Sequence, residues 1–497
     1  MHKSGPSPRQ AWRPSWQSAL AGALVIVVPV LWFGPWLPFL DAINFIALDS
    51  YPAHLSNGPH QYYVFEFTYI LPFILSRLCV DFGIGVAAQV SLFYFLQALI
   101  FFGATWQILE RVVRDPWIRS ISIVAGSLAF WDAMFIWGGP LAFSLSAASL
   151  ALAGLLSIRE AGDPERPSTG VVALLTLLAI ISHPFAVFFA LPLFAVRIVL
   201  LPTTRWRSVV IAALVLVYGV IIQRDSVDAP AGSLLPQLFG LHPIGTLTRI
   251  SELFTWNRGI VDYLLGISPA ALSAYFIVLG AVHLLGFLAS PFVAALAKDA
   301  PALRLLALLD TVVAAMFFLA LPDNAVISWW PQRILSYYNW VTFSAGIACP
   351  AYLILRYMPK KAGGETTSSS LGRRSLAWIL PALLIPGLIA AEVPVLRLGP
   401  VVPREWRSVR STILDTGLKN IILYPEYVDV APFYRRCVAF LLFSDRSLIQ
   451  RDIQVFTEWS AQPRHPSRTV DTGKPHYRLR LSVAANGNLT AQVLPDR

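Results

Sequence analysis

Uninterrupted apolar segments of about twenty residues recur along this chain, and they restrict its fold more than any other feature. Residues 275–297, YFIVLGAVHLLGFLASPFVAALA, contain no Asp, Glu, Lys or Arg. Of the 497 residues, 56% are hydrophobic and 13% are charged, whereas soluble domains carry about 25% charged residues. Because a bilayer requires every backbone polar group to be paired within the spanning segment, such segments form helices. The sequence therefore predicts an all-α polytopic membrane protein.

Eleven segments are long and apolar enough to be predicted as transmembrane helices. They cover residues 17–36, 86–108, 118–136, 140–158, 169–183, 185–201, 208–223, 268–290, 302–321, 336–356 and 375–393. A further apolar segment, 62–80, contains Glu66, Pro72 and Arg77, which disfavour a simple lipid-facing span. We interpret it as an interfacial or re-entrant helix.

The distribution of Lys and Arg orients these segments. With a cytoplasmic N-terminus and 62–80 not crossing, the inner ends and loops hold eighteen Lys and Arg and the outer loops hold four. Cytoplasmic loops of membrane proteins carry such an excess. The same bias accounts for the net charge of +10 without nucleic acid as a partner.

Three regions follow from this orientation. Residues 1–16 form a basic cytoplasmic N-terminus, and 17–393 form the transmembrane domain with outer-face juxtamembrane segments at 37–80 and 224–262. The more polar tail, 394–497, contains the strand-like segments NIILYPEYV and VAFLLFSD, and a hairpin pattern around Asn486-Gly487. These segments predict that the tail is a small α/β domain. Because the number of predicted spans is odd, the tail is expected on the extracytoplasmic side.

The first outer loop, FLDAINFIALDSYPAHLSNGPHQYYVFEF, holds acidic and histidine side chains beside apolar helices. Carboxylates near hydrocarbon are costly unless they are paired or face a wet cavity. We therefore expect the run from Asp49 to His54 to be functional, with Glu66 nearby, whereas Asp41 and His60 are interpreted as solvated loop residues.

Other features of the outer face point to the same region. His183 precedes Pro184 at an outer helix end, and Arg333 follows two tryptophans where a helix enters. Arg333 has two interpretations: an interfacial arginine reaching towards water, or a guanidinium that binds a phosphate at two points. Within the spans, Asp132 and Asp310 are isolated acids, and Asp310 is expected to pair with a helix neighbour.

Motifs of soluble nucleotide enzymes are missing from the sequence. It contains no phosphate-binding loop, zinc signature, GxSxG elbow or Rossmann fingerprint. A substrate that arrives within the membrane fits the chain better than a cytoplasmic nucleotide.

The run LDSYPAH, followed by the 62–80 segment, resembles the first outer loop of GT-C class polytopic glycosyltransferases, which carry an acidic residue just after the first helix. It is also similar to the DYPNHLAR-type motif of a related branch of bacterial membrane proteins, and FIWGGPLAFSLSAASLALA and SHPFAVFFALPL are similar to later signatures of the same branch. The likeness covers about residues 15–360. This copy has a serine after the aspartate and lacks the closing arginine. Ser50 replaces a second acidic residue, which leaves open whether Asp49 holds a divalent cation such as Mg²⁺ or Mn²⁺.

The resemblance implies a GT-C-like fold and an inverting sugar transfer on the outer face of the bacterial cytoplasmic membrane. The donor would be a polyprenyl-phosphate sugar, and the acceptor a glycan, lipid or protein of the cell envelope. Asp49 would be the base, with His54, His183, Arg333 and Glu66 as substrate-binding residues.

Two other functions are compatible with the same predicted helices. A transporter or flippase of a lipid-linked or amphipathic substrate would also place a polar cavity outside, although such proteins often show an internal repeat and none is visible in the sequence. A non-enzymatic scaffold whose tail recruits a partner is the third alternative.

Overall fold

The computed structural model describes residues 20, 22–24, 71, 74–75, 78–79, 82–84, 86–113, 118–120, 122–123, 141–183, 186–225, 248–254, 270–320, 330–357, 401–428, 430, 446–455, 474–484 and 488–495. In chain order its helices are α1 Val86–Val112, α2 Leu141–Gly162, α3 Thr169–Ser182, α4 Ala186–Leu200, α5 Arg205–Asp225, α6 Ala270–Leu296, α7 Pro301–Leu319, α8 Trp330–Tyr357, α9 Val401–Asp415 and α10 Arg446–Gln450. The strands are β1 Ile421–Val428, β2 Ile453–Val455, β3 His476–Val483 and β4 Leu489–Pro495.

Helices α1 to α8 coincide with eight of the predicted spans, so the helical prediction is confirmed there. The predicted spans 17–36, 118–136 and 375–393 lie wholly or mostly outside the described residues, and the total of eleven stays a prediction. Two details differ from the sequence prediction. Helix α8 begins at Trp330, before the predicted start at residue 336, and a 3₁₀ turn at Pro202–Thr204 links α4 to α5.

Among the described helical segments, Ile277–Leu296 and Pro301–Leu319 are long and apolar enough to cross a bilayer. Ala186–Leu200 and Pro202–Gly219 meet at a bend of 113° and count as a third crossing if the bent pair forms one broken span. Large apolar side chains such as Leu288 and Phe292 are exposed on α6, as expected for a surface that lipid covers. We call the end of the bundle at which α2, α4, α6 and α8 finish the inner end, following the charge-based orientation, and the opposite end the outer end.

Glycines allow α6 and α8 to approach each other closely. A Cβ atom on Gly346 would lie 2.3 Å from the carbonyl oxygen of Val282, and one on Gly286 would lie 2.9 Å from the backbone nitrogen of Gly346. Any side chain at either position would force the helices apart, and small residues are typical of close helix crossings in membranes.

A buried polar network joins α2, α3, α4 and α5 at the inner end. Arg197 of α4 and Glu160 of α2 form an ion pair with an N–O distance of 3.1 Å, and both side chains are fully buried. Serine and threonine hydroxyls surround this pair and hydrogen-bond to it. We call the network the inner corner; its members are Ser157, Glu160, Ser168, Thr169, Arg197, Thr204 and Ser208.

The C-terminal strands form a sheet in the order β2-β1-β3-β4, in which β1 is parallel to β2 and β3, and β3 is antiparallel to β4. Trp406, Val409 and Ile413 of α9 are buried, and this helix packs against β4. The predicted hairpin is confirmed by β3 and β4, and the predicted strand NIILYPEYV by β1. The segment VAFLLFSD lies outside the described residues, and the extracytoplasmic position of the tail stays a prediction.

Candidate functional site at the outer end

His183 occupies the turn between α3 and α4. Its backbone N–H donates to the carbonyl of Ala179 at 3.0 Å, and its own carbonyl accepts from the N–H of Ala186 at 3.1 Å. The backbone of His183 is extended, with φ −155° and ψ 130°, as expected for a residue before proline. These contacts hold the imidazole at the outer end, where it is buried.

Arg333 lies in the first turn of α8, and helix packing brings it to His183. The guanidinium is half-buried and close enough for its charge to act on the imidazole. The imidazole is buried, and each of its ring nitrogens can donate or accept a hydrogen bond. We refer to His183 and Arg333 as the outer pair.

Aromatic side chains support the outer pair. The rings of Phe189 in α4 and Tyr337 in α8 stack with centroids 3.9 Å apart, and Tyr338 meets the edge of Phe189 with centroids 6.1 Å apart. The hydroxyl of Tyr337 donates to Oγ of Ser146 in α2 at 2.9 Å. These contacts fix the first turns of α8 against α2 and α4.

The helical residues 248–254, which belong to the predicted juxtamembrane segment 224–262, lie across the outer ends of α6 and α7. Arg249 is buried, pairs with Glu252 and donates to the carbonyl of Ala320 at 3.3 Å. A Cβ atom on Gly280 of α6 would lie 2.4 Å from the carbonyl oxygen of Leu253. The segment therefore packs closely onto the bundle at the end that carries the outer pair.

Of the five predicted site residues, the structure describes His183 and Arg333, which lie near each other, and their roles stay predictions. Asp49, His54 and Glu66 lie outside the described residues, as do Asp41, His60 and Asp132. Within the part of the chain that is described, no group of three or more His, Cys, Asp or Glu side chains could hold a metal ion. Because Asp49 is not in that part, a divalent cation there stays a prediction.

Sequence reasoning missed Ser146, Phe189, Tyr337 and Tyr338 as supports of the site. The tyrosines stand in ILSYYNW, and an apolar and aromatic run at an outer interface is ordinarily an anchor in the headgroup region. Pro192 marks this turn of α4 as irregular, but the carbonyl to which it has no N–H to donate is that of Phe188 and not that of Phe189.

Asp310, the isolated acid in the middle of α7, pairs with a neighbouring helix. Oγ of Ser290 in α6 donates to its Oδ2 at 2.7 Å, and the same hydroxyl lies 3.5 Å from Sγ of Cys349 in α8. The Asp310 side chain is fully buried. The expected pairing is confirmed, and it joins the three helices where Gly286 and Gly346 bring α6 and α8 together.

Comparison with known proteins does not assign a family to this chain. No protein-family model matches the chain, and no curated protein matches it. Among solved structures, the crystal structure of ArnT from Cupriavidus metallidurans bound to undecaprenyl phosphate is similar, with a TM-score of 0.46 and 12% sequence identity over 92% of this chain and 92% of that chain. A likeness of this degree assigns neither a family nor an activity to this chain.

Proposed function

We propose that the protein is an inverting glycosyltransferase with a GT-C-like architecture in the bacterial cytoplasmic membrane. It would transfer a sugar from a polyprenyl-phosphate donor to a glycan, lipid or protein acceptor on the outer face. The observation that carries the proposal is the outer pair, in which an arginine and a buried histidine from distant parts of the sequence meet at the outer end of apolar helices.

The outer pair suits the departing phosphate of such a donor. When the bond between the anomeric carbon and the phosphate oxygen breaks, negative charge develops on that oxygen, and positioned donors stabilise it. Arg333 can supply two parallel N–H donors to a phosphate, and a ring N–H of His183 can supply a third. A phosphate therefore finds both charge and directed hydrogen bonds at this point.

The acceptor needs a base on the opposite side of the sugar. Its hydroxyl attacks the anomeric carbon as the phosphate leaves, and the hydroxyl proton passes to a carboxylate. We assign this role to Asp49, which the predicted topology places in the first outer loop, with His54 and Glu66 as further substrate contacts. The direct displacement inverts the anomeric centre.

Transfer by the full-length protein in proteoliposomes tests the proposal. Radiolabelled polyprenyl-phosphate sugars are supplied with candidate envelope acceptors, and Asp49→Asn is expected to lower the transfer rate by about 10²–10⁴-fold, the usual contribution of a general base. Asp41→Asn, a change of the same type in the same loop, is the matched control and should leave the rate near that of the wild type.

Three outcomes would contradict the proposal or a part of it. Undiminished transfer by Asp49→Asn would remove Asp49 as the base. Uptake of lipid-linked substrate into vesicles without any transferred product would favour the flippase alternative, and the absence of both product and uptake would favour the scaffold.

A further inference from the structure

Helix α8 is interrupted one turn after Arg333. Tyr338 has φ −109° and ψ 15° inside the helix Trp330–Tyr357, so the turn that carries Arg333 and the long remainder of α8 are separate helical pieces. The direction of the first turn, and with it the position of the guanidinium, therefore depends on what holds this break.

The α4 side of the break is held by the backbone carbonyl of Phe189. Pro192 lies in the same part of α4 and has no N–H to donate to the carbonyl of Phe188, four residues earlier. The hydroxyl of Tyr338 donates to the carbonyl of Phe189. Tyr338 is thereby attached to α4 six residues after His183, the other member of the outer pair.

The α8 and α2 sides of the break are held by Trp340. Its indole Nε1 donates to the carbonyl of Tyr337 at 3.0 Å, a carbonyl that lies next to the break. The ring packs on α2 at Gly154, where a Cβ atom would lie 1.9 Å from the indole. Tyr337, Tyr338 and Trp340 are all buried, so the break is fixed by packing as well as by hydrogen bonds.

We propose that Tyr338 is a positioning residue for phosphate binding, because its hydroxyl bond to the Phe189 carbonyl fixes the break in α8 and so holds Arg333 beside His183. The inference rests on the proposed function, since it assigns the role to a site that binds the donor's phosphate. Tyr338 itself acts through Arg333.

Binding of farnesyl phosphate, a short and soluble polyprenyl phosphate, tests this role without requiring the sugar or the acceptor. Titration calorimetry on the full-length protein in nanodiscs would compare the wild type with Tyr338→Phe, Arg333→Ala and the double variant. Tyr338→Phe removes one hydroxyl and keeps the ring, so it should weaken binding about five-fold. Arg333→Ala should weaken it by more than ten-fold, as expected for charged hydrogen bonds.

The double variant and a phosphate-free ligand separate positioning from a merely structural role. If Tyr338 acts through Arg333, the double variant binds no more weakly than Arg333→Ala alone, and farnesol binds equally to the wild type and to Tyr338→Phe. Tyr352→Phe, which removes a hydroxyl near the inner end of the same helix, should leave farnesyl phosphate binding unchanged.

Each contrary result has a distinct meaning. An unchanged affinity in Tyr338→Phe alongside a weakened Arg333→Ala overturns the positioning role alone. A five-fold loss that persists in the Arg333→Ala background, or an equal loss for farnesol, shows that the hydroxyl supports the fold and not the guanidinium. An Arg333→Ala variant that binds like the wild type removes Arg333 from the proposed function, and the positioning role fails with it.

Discussion

In both the inner corner and the outer pair an arginine lies among the ends of packed helices, but the group beside its guanidinium differs. At the inner corner Arg197 donates to Glu160, Ser157 and Thr169 at 3.1, 2.7 and 2.9 Å. At the outer end Arg333 lies beside His183, a second group that would be positive if protonated. In one arrangement a carboxylate of the protein neutralises the guanidinium, and in the other a guanidinium lies beside an imidazole.

The difference separates a structural role from a binding role. The carboxylate of Glu160 accepts from Thr204 at 2.6 Å and from the Ser168 hydroxyl at 2.8 Å, so both members of the ion pair have hydrogen-bond partners within the protein. A buried charge pair of this kind joins helices, and because its two charges are already paired with each other, it is not suited to bind a charged ligand. Two cation-forming groups brought together would instead be stabilised by an anion.

Removing one partner of the inner corner should have the largest effect on stability. Arg197→Leu leaves the buried carboxylate of Glu160 without its cation, and breaking a buried pair in this way costs about 3–5 kcal/mol. Unfolding by heat or by a denaturing detergent in mixed micelles measures the loss.

The matched control replaces both partners. Arg197→Leu with Glu160→Leu removes the unpaired charge, so the double variant should recover part of the loss. If the double variant is less stable than the wild type by the sum of the two single losses, the ion pair is not what stabilises the corner, and the comparison with the outer pair fails.

Local sequence pattern identified the helices but not these two polar sites. Runs of apolar side chains have a length and period that any window of the chain reveals, and α1 to α8 coincide with predicted spans for this reason. Arg197 was counted among the positive residues of the inner ends, whereas the structure places it fully buried beside Glu160, 37 residues earlier. Its burial could not be read from the sequence, because it depends on how α2 and α4 pack.

The site was predicted as separate residues, and their proximity was not. His183 and Arg333 each stood out by position at an outer helix end, but only packing of α8 against α4 shows that they interact. The break at Tyr338 was also missed. A tyrosine is compatible with a helix interior, and the hydrogen bond to the Phe189 carbonyl that accompanies the break comes from a different helix.

Removing the outer arginine should have a smaller effect on stability and a large one on transfer. Arg333→Leu keeps an apolar stem at a half-buried position, so we expect the free energy of unfolding to change by less than about 1 kcal/mol. Transfer should fall about 10²-fold, as when a donor to a developing oxyanion is lost. The same unfolding assay and the proteoliposome assay measure the two effects.

A large loss of stability in Arg333→Leu would contradict this expectation, because it would mean that Arg333 stabilises the fold as Arg197 does. Arg197→Leu is the matched variant in the other region. Its folded fraction should fall, while the activity per folded molecule should stay near that of the wild type.

Removing an exposed ion pair at the inner end should have the smallest effect on stability. Comparison with the inner corner then shows how much burial strengthens an ion pair. Asp299, in the loop between α6 and α7, accepts from Nη1 of Arg356 at 2.7 Å on each carboxylate oxygen, and water reaches both side chains. The hydrogen bond from Arg356 lowers the pKa of Asp299 below its ordinary value. A carboxyl with a lower pKa in the folded state stabilises the protein above its unfolded pKa, and this contribution is lost as the pH falls through the folded pKa.

Asp299→Asn should therefore melt slightly below the wild type at pH 7, and the two proteins should converge at acidic pH, below the ordinary pKa of about 3.9. Thermal melts in detergent at pH 7, 5 and 3 measure the difference. Because solvent screens an exposed pair, the shift in melting temperature at pH 7 should be far smaller than that of Arg197→Leu. Equal shifts in melting temperature for Asp299→Asn and Arg197→Leu would mean that burial does not strengthen the ion pair of the inner corner. A shift for Asp299→Asn that grows as the pH falls would contradict the pH dependence expected for Asp299.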